Sequence, residues 1–241
     1  MKILVIRKYW LIRICIAVIA ITVLILLLNY YKIIEVSMGV STTDKVIVID
    51  PGHGGFDPGK LGSNGRKNEK DINLDISLYL KAYLEQNDFV VIMTREKDED
   101  LYTEDGSNRK MKTIDLTNRK KIVLDMKPDV FISIHANSFQ ESKYYGAQTF
   151  YPKNNEEGMK LANIIQQEFM NIVDPDNKRV PLENDTVYII KGLDIPTVLI
   201  ECGFLSNPEE ERKLNDPQYQ QKIAWSIYVG LEKYFKTFVQ E

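Results

Sequence analysis

Residues 45–59 read KVIVIDPGHGGFDPG, an apolar β-branched run that ends in an acid and a proline and gives way to a glycine-rich loop. That loop carries one of only two histidines in 241 residues. The run 46–50 is too uniformly apolar for a sheet wetted on one face, so it reads as a strand buried on both. Comparable runs recur at 89–94, 129–134, 147–151, 186–190 and 197–201. Between them, 68–87 carries apolar residues at helical spacing behind Asn68 and Glu69, and further helical patterns lie at 113–127, 156–172 and 217–238. Pro128 closes the second of these before a strand. The alternation predicts an α/β fold: one domain over 45–241, a mostly parallel twisted sheet of about six strands with helices on both faces. The acidic stretch 95–112, REKDEDLYTEDGSNRKMK, is the longest loop and is expected to be mobile.

The first 31 residues are different in kind. Trp10 to Leu28 is almost unbroken apolar sequence, preceded by Lys2, Arg7 and Lys8. As a helix, 9–31 would rise ~34 Å, slightly more than the ~30 Å hydrocarbon layer, with Tyr9 and Trp10 at one interface and Tyr30 and Tyr31 at the other. Arg13 can snorkel to the near side. The expected organisation is a cytoplasmic tip and transmembrane signal-anchor over 1–31, a tether over 32–44, and an extracytoplasmic domain over 45–241. A cleaved signal peptide competes with this reading, but it should have a shorter apolar core and a small-x-small site, where LLLNYYKIIEVSMG stands. A lipoprotein signal fits less well, because Ile14 and Arg13 precede Cys15 where small residues are needed.

Cys202 is the only other cysteine, so there is no disulfide framework. Of 31 cations, four precede residue 32 with no acid among them; the remaining 27 face 34 acids, a formal charge of −7. Such a domain is a poor partner for nucleic acid.

In open α/β sheets ligands bind beyond the carboxyl ends of the strands. Four titratable residues fall there: His53 two residues after the first strand, His135 directly after 129–134, Glu201 closing 197–201, and Glu69 opening the helix that follows the first loop. Two histidines and a carboxylate, with a second carboxylate in reserve, make the composition of a catalytic zinc site with one open position. Gly52, Gly54 and Gly55 allow a sharp, close backbone there, and Pro51 stiffens its entry. Each residue also has an ordinary reading: a loop histidine is usually a surface group, and Glu69 is a first-turn acid that suits the helix dipole. Glu201 is harder to dismiss, since a charge at the end of a buried strand is costly unless paired or bound to metal. A phosphate-binding loop is disfavoured, because DPGHGGFDPG lacks GxGxxG and GxxxxGK[ST] and sets Asp50 and Asp57 where an anion would be repelled.

Together VIVIDPGHGGFDPG, NEKDINL, VFISIHAN and VLIECGFLSNPEE resemble, in order and spacing, the zinc-dependent N-acetylmuramoyl-L-alanine amidases of the amidase 3 family. The anchor, the small size and the lack of wall-binding repeats resemble its spore-cortex members. The resemblance implies one Zn²⁺ per chain on His53, Glu69 and His135, and Glu201 as catalytic carboxylate. It implies cleavage of the amide between the lactyl group of muramic acid and L-alanine in peptidoglycan, with an accessory protein as a possible partner. Another zinc hydrolase of wall peptides, or a non-catalytic peptidoglycan-binding domain, shares the composition. Asn137 is a candidate oxyanion donor, and Arg95 and Arg119 are candidates for the peptide carboxylates, with structural ion pairs as their ordinary reading. Cys202, beside the catalytic carboxylate, is expected to make the site sensitive to thiol reagents. The span 151–186 has room for little beyond one helix, so no built-in plug over the site is expected.

Overall fold

The computed structural model describes residues 45–102 and 107–238, with scattered positions between 10 and 24. The chain divides into two compact units, 1–41 and 42–241. In the first, the described positions are helical. No helix among the described residues is long and apolar enough to cross a membrane. Most of the expected span at 9–31 and all of the tether at 32–44 lie outside the described residues.

The second unit is built from strands β1 (Val46–Pro51), β2 (Val90–Met93), β3 (Val130–Asn137), β4 (Gln148–Pro152), β5 (Leu182–Asn184) and β6 (Thr197–Phe204). Its helices are α1 (Glu69–Glu85), α2 (Asn108–Met126), α3 (Glu156–Glu168), α4 (Pro208–Leu214) and α5 (Pro217–Phe238). The sheet order is β2-β1-β3-β6-β4-β5. The first four strands are mutually parallel, whereas β4 runs antiparallel to β6 and carries β5 parallel to itself. The sheet is therefore mixed, with two reversed strands at one side.

Alternation along each strand sorts its residues between two cores. Ile47 and Ile49, Ile132 and Ile134, and Val198 and Ile200 face α1, α3 and α5. Val48, Phe131 and Leu199 face the other way, against Val123 of α2 and against Ile189, Ile190 and Leu193. Each fully buried side chain of this kind stabilises the fold by roughly 1.5–3 kcal/mol.

The run 186–190 is not a strand. Asn184 accepts hydrogen bonds from the N–H groups of Thr186 (2.8 Å) and Val187 (3.1 Å), and the Lys191 N–H closes a turn onto the Val187 carbonyl at 3.2 Å. This local side-chain capping replaces a ladder, and Ile189 and Ile190 are buried from a turn laid across the second face. The edge beside β4 goes instead to the short 182–184. α2 starts at Asn108, five residues before the periodic pattern, and α3 continues as a π-turn over Phe169–Val173. α4 has no counterpart among the expected helices, although Asn207 and Pro208 are an N-cap and first-turn pair: Asn207 accepts the N–H of Glu209 at 3.0 Å. Where it is described, the loop after β2 is tied by hydrogen bonds to the loop after β1. Asp98 accepts the Gly55 N–H at 2.8 Å and pairs with Lys70 at 2.6 Å, and Asp100 accepts the Phe56 N–H at 3.2 Å.

Candidate active site

From β1 the chain reaches β2 through α1 on one face, then crosses to β3 through α2 on the other. The connections part between β1 and β3, and that parting opens a crevice at the carboxyl ends of these two strands. His53 leaves the end of β1 and His135 lies near the end of β3, with Pro51 and Ile134 in register between them. Gly52 is required here, because a Cβ on it would fall on the His135 ring. His53 itself adopts φ 64°, a left-handed conformation unfavourable for a residue with a side chain. Two features hold it there: the Gly54–Asp57 bridge, with N···O distances of 2.9 and 3.0 Å, and an Arg119 guanidinium N–H on the His53 carbonyl at 2.7 Å.

Glu69 starts α1, where the helix dipole favours a negative charge. Its Oε1 lies 3.0 Å from His53 Nε2 and 3.2 Å from His135 Nδ1, and its Oε2 accepts the Lys60 N–H at 2.9 Å. A Cβ at Gly59, where φ is 63°, would stand 2.5 Å from Glu69 Oε2, so this glycine too belongs to the site. The three donor groups lie within 4.8 Å of one another. On its far side, His53 Nδ1 meets Asp57 Oδ2 at 2.9 Å, and Asp57 pairs with Lys112 at 2.9 Å. Burial alone would lower the proton affinity of His53, but hydrogen bonds to Asp57 and Glu69 outweigh it and raise its pKa to about 9. Burial would likewise raise Glu69, but hydrogen bonds and charge from the two imidazoles hold it well below the usual carboxylate range. Two imidazole nitrogens turned on one ionised carboxylate oxygen, with a second carboxylate fixing one ring from behind, form a donor set that suits Zn²⁺.

Glu201 sits on β6 directly opposite His135. Strand parity places it on the same face as His135, Ser133 and Asp50. Its Oε2 is buried with no hydrogen-bond partner. Burial, reinforced by the charge of Glu69, pushes its pKa up to about 7. A cavity of ≈ 170 Å³ opens beside the two histidines, lined by His53, His135, Asp57, Lys112, Tyr188 and Ile189 among others. The His53 and His135 side chains keep 17 % and 19 % of their exposure. Between β4 and β6 the described chain forms only α3, its π-turn and β5, with no further helix to cover the site.

Arg119 is 1 % exposed and donates to Asp115 (2.7 Å), Asp50 (3.0 Å) and the Pro51 and His53 carbonyls. Asp50 also accepts from Thr94 at 2.7 Å and Ser133 at 2.8 Å. Arg95, 2 % exposed, donates to the carbonyls of Pro51, Gly52, Lys70 and Lys97. Both guanidinium groups are thus engaged in shaping the first loop and have few N–H groups left for a ligand. Asn137 ends β3 with its side-chain oxygen on the Ser138 N–H at 2.7 Å. The expected thiol sensitivity is not supported: Cys202 is 1 % exposed in the first core, and burial, with the charges of Glu201 and Glu69, raises its pKa well above the ordinary thiol value. Asp57, Lys112 and the buried Asp50 were not singled out as site residues from the sequence. The His53–Asp57 spacing of four was the available signal for the first of them.

The chain belongs to the amidase 3 family, whose model, described as N-acetylmuramoyl-L-alanine amidase, matches residues 47–233. It is an N-acetylmuramoyl-L-alanine amidase, hydrolysing the bond between the muramic lactyl group and L-alanine. Within the family it is 39 % identical over 193 residues to the germination-specific N-acetylmuramoyl-L-alanine amidase of Bacillus subtilis, covering 79 % of this chain and 80 % of that protein. The CwlD amidase from Clostridioides difficile, solved in complex with the GerS lipoprotein, superposes with TM-score 0.78 at 47 % identity, covering 80 % of this chain and 99 % of the solved one. An N-acetylmuramoyl-L-alanine amidase from Clostridium difficile 630 superposes with TM-score 0.71 at 30 % identity, covering 82 % and 100 % of the two chains.

Proposed function

We propose that the amidase works with one Zn²⁺ held by His53, Glu69 and His135, and with Glu201 as its proton-transfer group. The observation that carries this is the convergence of His53 Nε2, His135 Nδ1 and Glu69 Oε1 beside the unpartnered, buried Glu201 Oε2. When bound, the metal supplies a Lewis acid that makes water nucleophilic near neutral pH and polarises the amide carbonyl. Glu201, with its raised proton affinity, takes the proton of the attacking water and hands it to the departing alanine nitrogen, since an amide leaves poorly as an anion. Asp57 accepts the proton of His53 Nδ1 in a hydrogen bond, which would leave the Nε2 lone pair to hold the metal. Asn137, whose side-chain oxygen is already occupied, offers its NH₂ group to the developing oxyanion.

The substrate we propose is spore-cortex peptidoglycan, a reading supported by the germination-specific relative. Residues 9–31 would anchor the enzyme, with the catalytic domain outside the cytoplasmic membrane; the apolar run and its preceding cations support this. The complex of CwlD with a lipoprotein supports an accessory protein for this chain as well. Digestion of spore sacculi with the zinc-loaded protein should release peptides with a new alanine amine and leave lactyl-muramic ends. Cleavage elsewhere in the peptide, or full activity after chelation, would overturn the proposal.

A further inference from the structure

We propose that a pocket built around Arg179 is the subsite for a carboxylate of the substrate's peptide, on the alanine side of the cleaved bond. This rests on the amidase activity and adds to it a residue that reads the peptide. Gln148 of β4 lies directly opposite Glu201 of β6, and antiparallel partners have Cα atoms about 4.5–5.5 Å apart with side chains on one face. Both ends of the Gln148 amide are engaged: Nε2 donates to the Val180 carbonyl at 2.8 Å, and Oε1 accepts from Arg179 Nη1 at 2.9 Å. It therefore ties Arg179 to a place one side chain beyond Glu201.

The rest of the guanidinium is held as firmly. Arg179 Nε donates to the Tyr145 carbonyl at 2.6 Å, and the group lies over the Phe204 ring, 4.4 Å from its centroid. Nη2 has no acceptor among the described residues, in contrast to the Nη2 groups of Arg95 and Arg119. Arg179 itself lines a pocket of ≈ 220 Å³ together with Lys143, Tyr144, Tyr145, Asn177 and Lys178: three cations and no acid. The nearby acids are already engaged, although the charge of Glu210 still acts on Arg179 and one of the three cations has its own acid partner. Glu210 accepts the N–H groups of Gly146 (3.0 Å) and Phe204 (2.8 Å), and Glu141 pairs with Lys143 at 2.5 Å.

A guanidinium stacked, oriented and left with a free edge is suited to a carboxylate. Of the two sides of the scissile bond, only the peptide side carries carboxylates; the lactyl side is a neutral sugar ether. An extended peptide advances about 3.3–3.6 Å per residue, so the residue after alanine reaches the distance that Gln148 spans.

The test is calorimetric binding of the γ-amide of L-alanyl-D-glutamate, whose one carboxylate is the α-carboxylate, and of the corresponding α,γ-diamide to the full-length, zinc-loaded protein, alongside hydrolysis of the corresponding muramoyl dipeptides. The carboxylate form should bind about 10- to 100-fold more tightly than the diamide. Arg179→Gln should erase that preference by raising KM with little change in kcat, at unchanged zinc content and thermal midpoint; Arg179→Lys should restore part of it. Equal binding of both peptides by the unaltered protein overturns the subsite, whatever becomes of the variants, as does a preference that survives in Arg179→Gln. Tight, selective peptide binding without hydrolysis would instead count against the activity and leave the subsite standing.

Discussion

The Nδ1 of His53 is held 2.9 Å from Oδ2 of Asp57, four residues on, and this contact turns Nε2 of the same ring toward Glu69. A carboxylate behind a ligating imidazole fixes its tautomer and strengthens it as a donor. Asp57→Asn should therefore lower zinc affinity by about 10- to 100-fold in a competition titration with a chromogenic chelator. Unchanged affinity would remove Asp57 from the metal's supporting shell.

Glu201→Gln and His135→Ala should separate proton transfer from metal binding. The first should retain zinc and lose about 10²–10⁴-fold in kcat; the second should lose both metal and activity. Near-normal turnover by Glu201→Gln at full zinc occupancy would reassign the base.

Glu201 also sets a pH dependence in the metal-free protein. Its pKa is raised from 4.5 to about 7 in the fold, so between these values the folded state binds the proton more tightly than the unfolded chain does. The stabilising contribution is present at low pH and is lost as pH rises through this window, with a slope of at most about 1.4 kcal/mol per pH unit. Urea denaturation of zinc-free protein from pH 4.5 to 7.5 should show this slope in the difference between the unaltered chain and Glu201→Gln. A cation at the site favours the carboxylate and should flatten it.

Arg119→Met strips the positive partner from the buried Asp50 and Asp115. Breaking a buried ion pair in this way costs about 3–5 kcal/mol, to be read from chemical denaturation. A stable variant with only a raised KM would show instead that Arg119 serves the substrate.

Cys202, in the core and with its thiol pKa raised, should react with a thiol reagent only after unfolding. Labelling of the native protein at the rate of a free thiol, with loss of activity, would contradict its burial.

Composition and order along the chain determined the strand–helix alternation, the buried strands, and the placing of His53 just beyond β1; the strands carrying His135 and Glu201 run on two and three residues past them, to Asn137 and Phe204. Uniform apolar runs and punctuating glycines and prolines are local signals, and ligands gather where such strands end. The run 186–190 carries the same local signal as a strand, yet Asn184 caps it into a turn and the second core buries it there. The arginines make the same point about function. Arg95, Arg119 and Arg179 are alike in sequence. Folding alone decided that the first two spend their donors on the loop after β1, while Arg179, tied through Gln148 to the strand beside Glu201, keeps an edge free. Whether a guanidinium is spent depends on acceptors brought from far along the chain, and those are positioned only by the closed sheet.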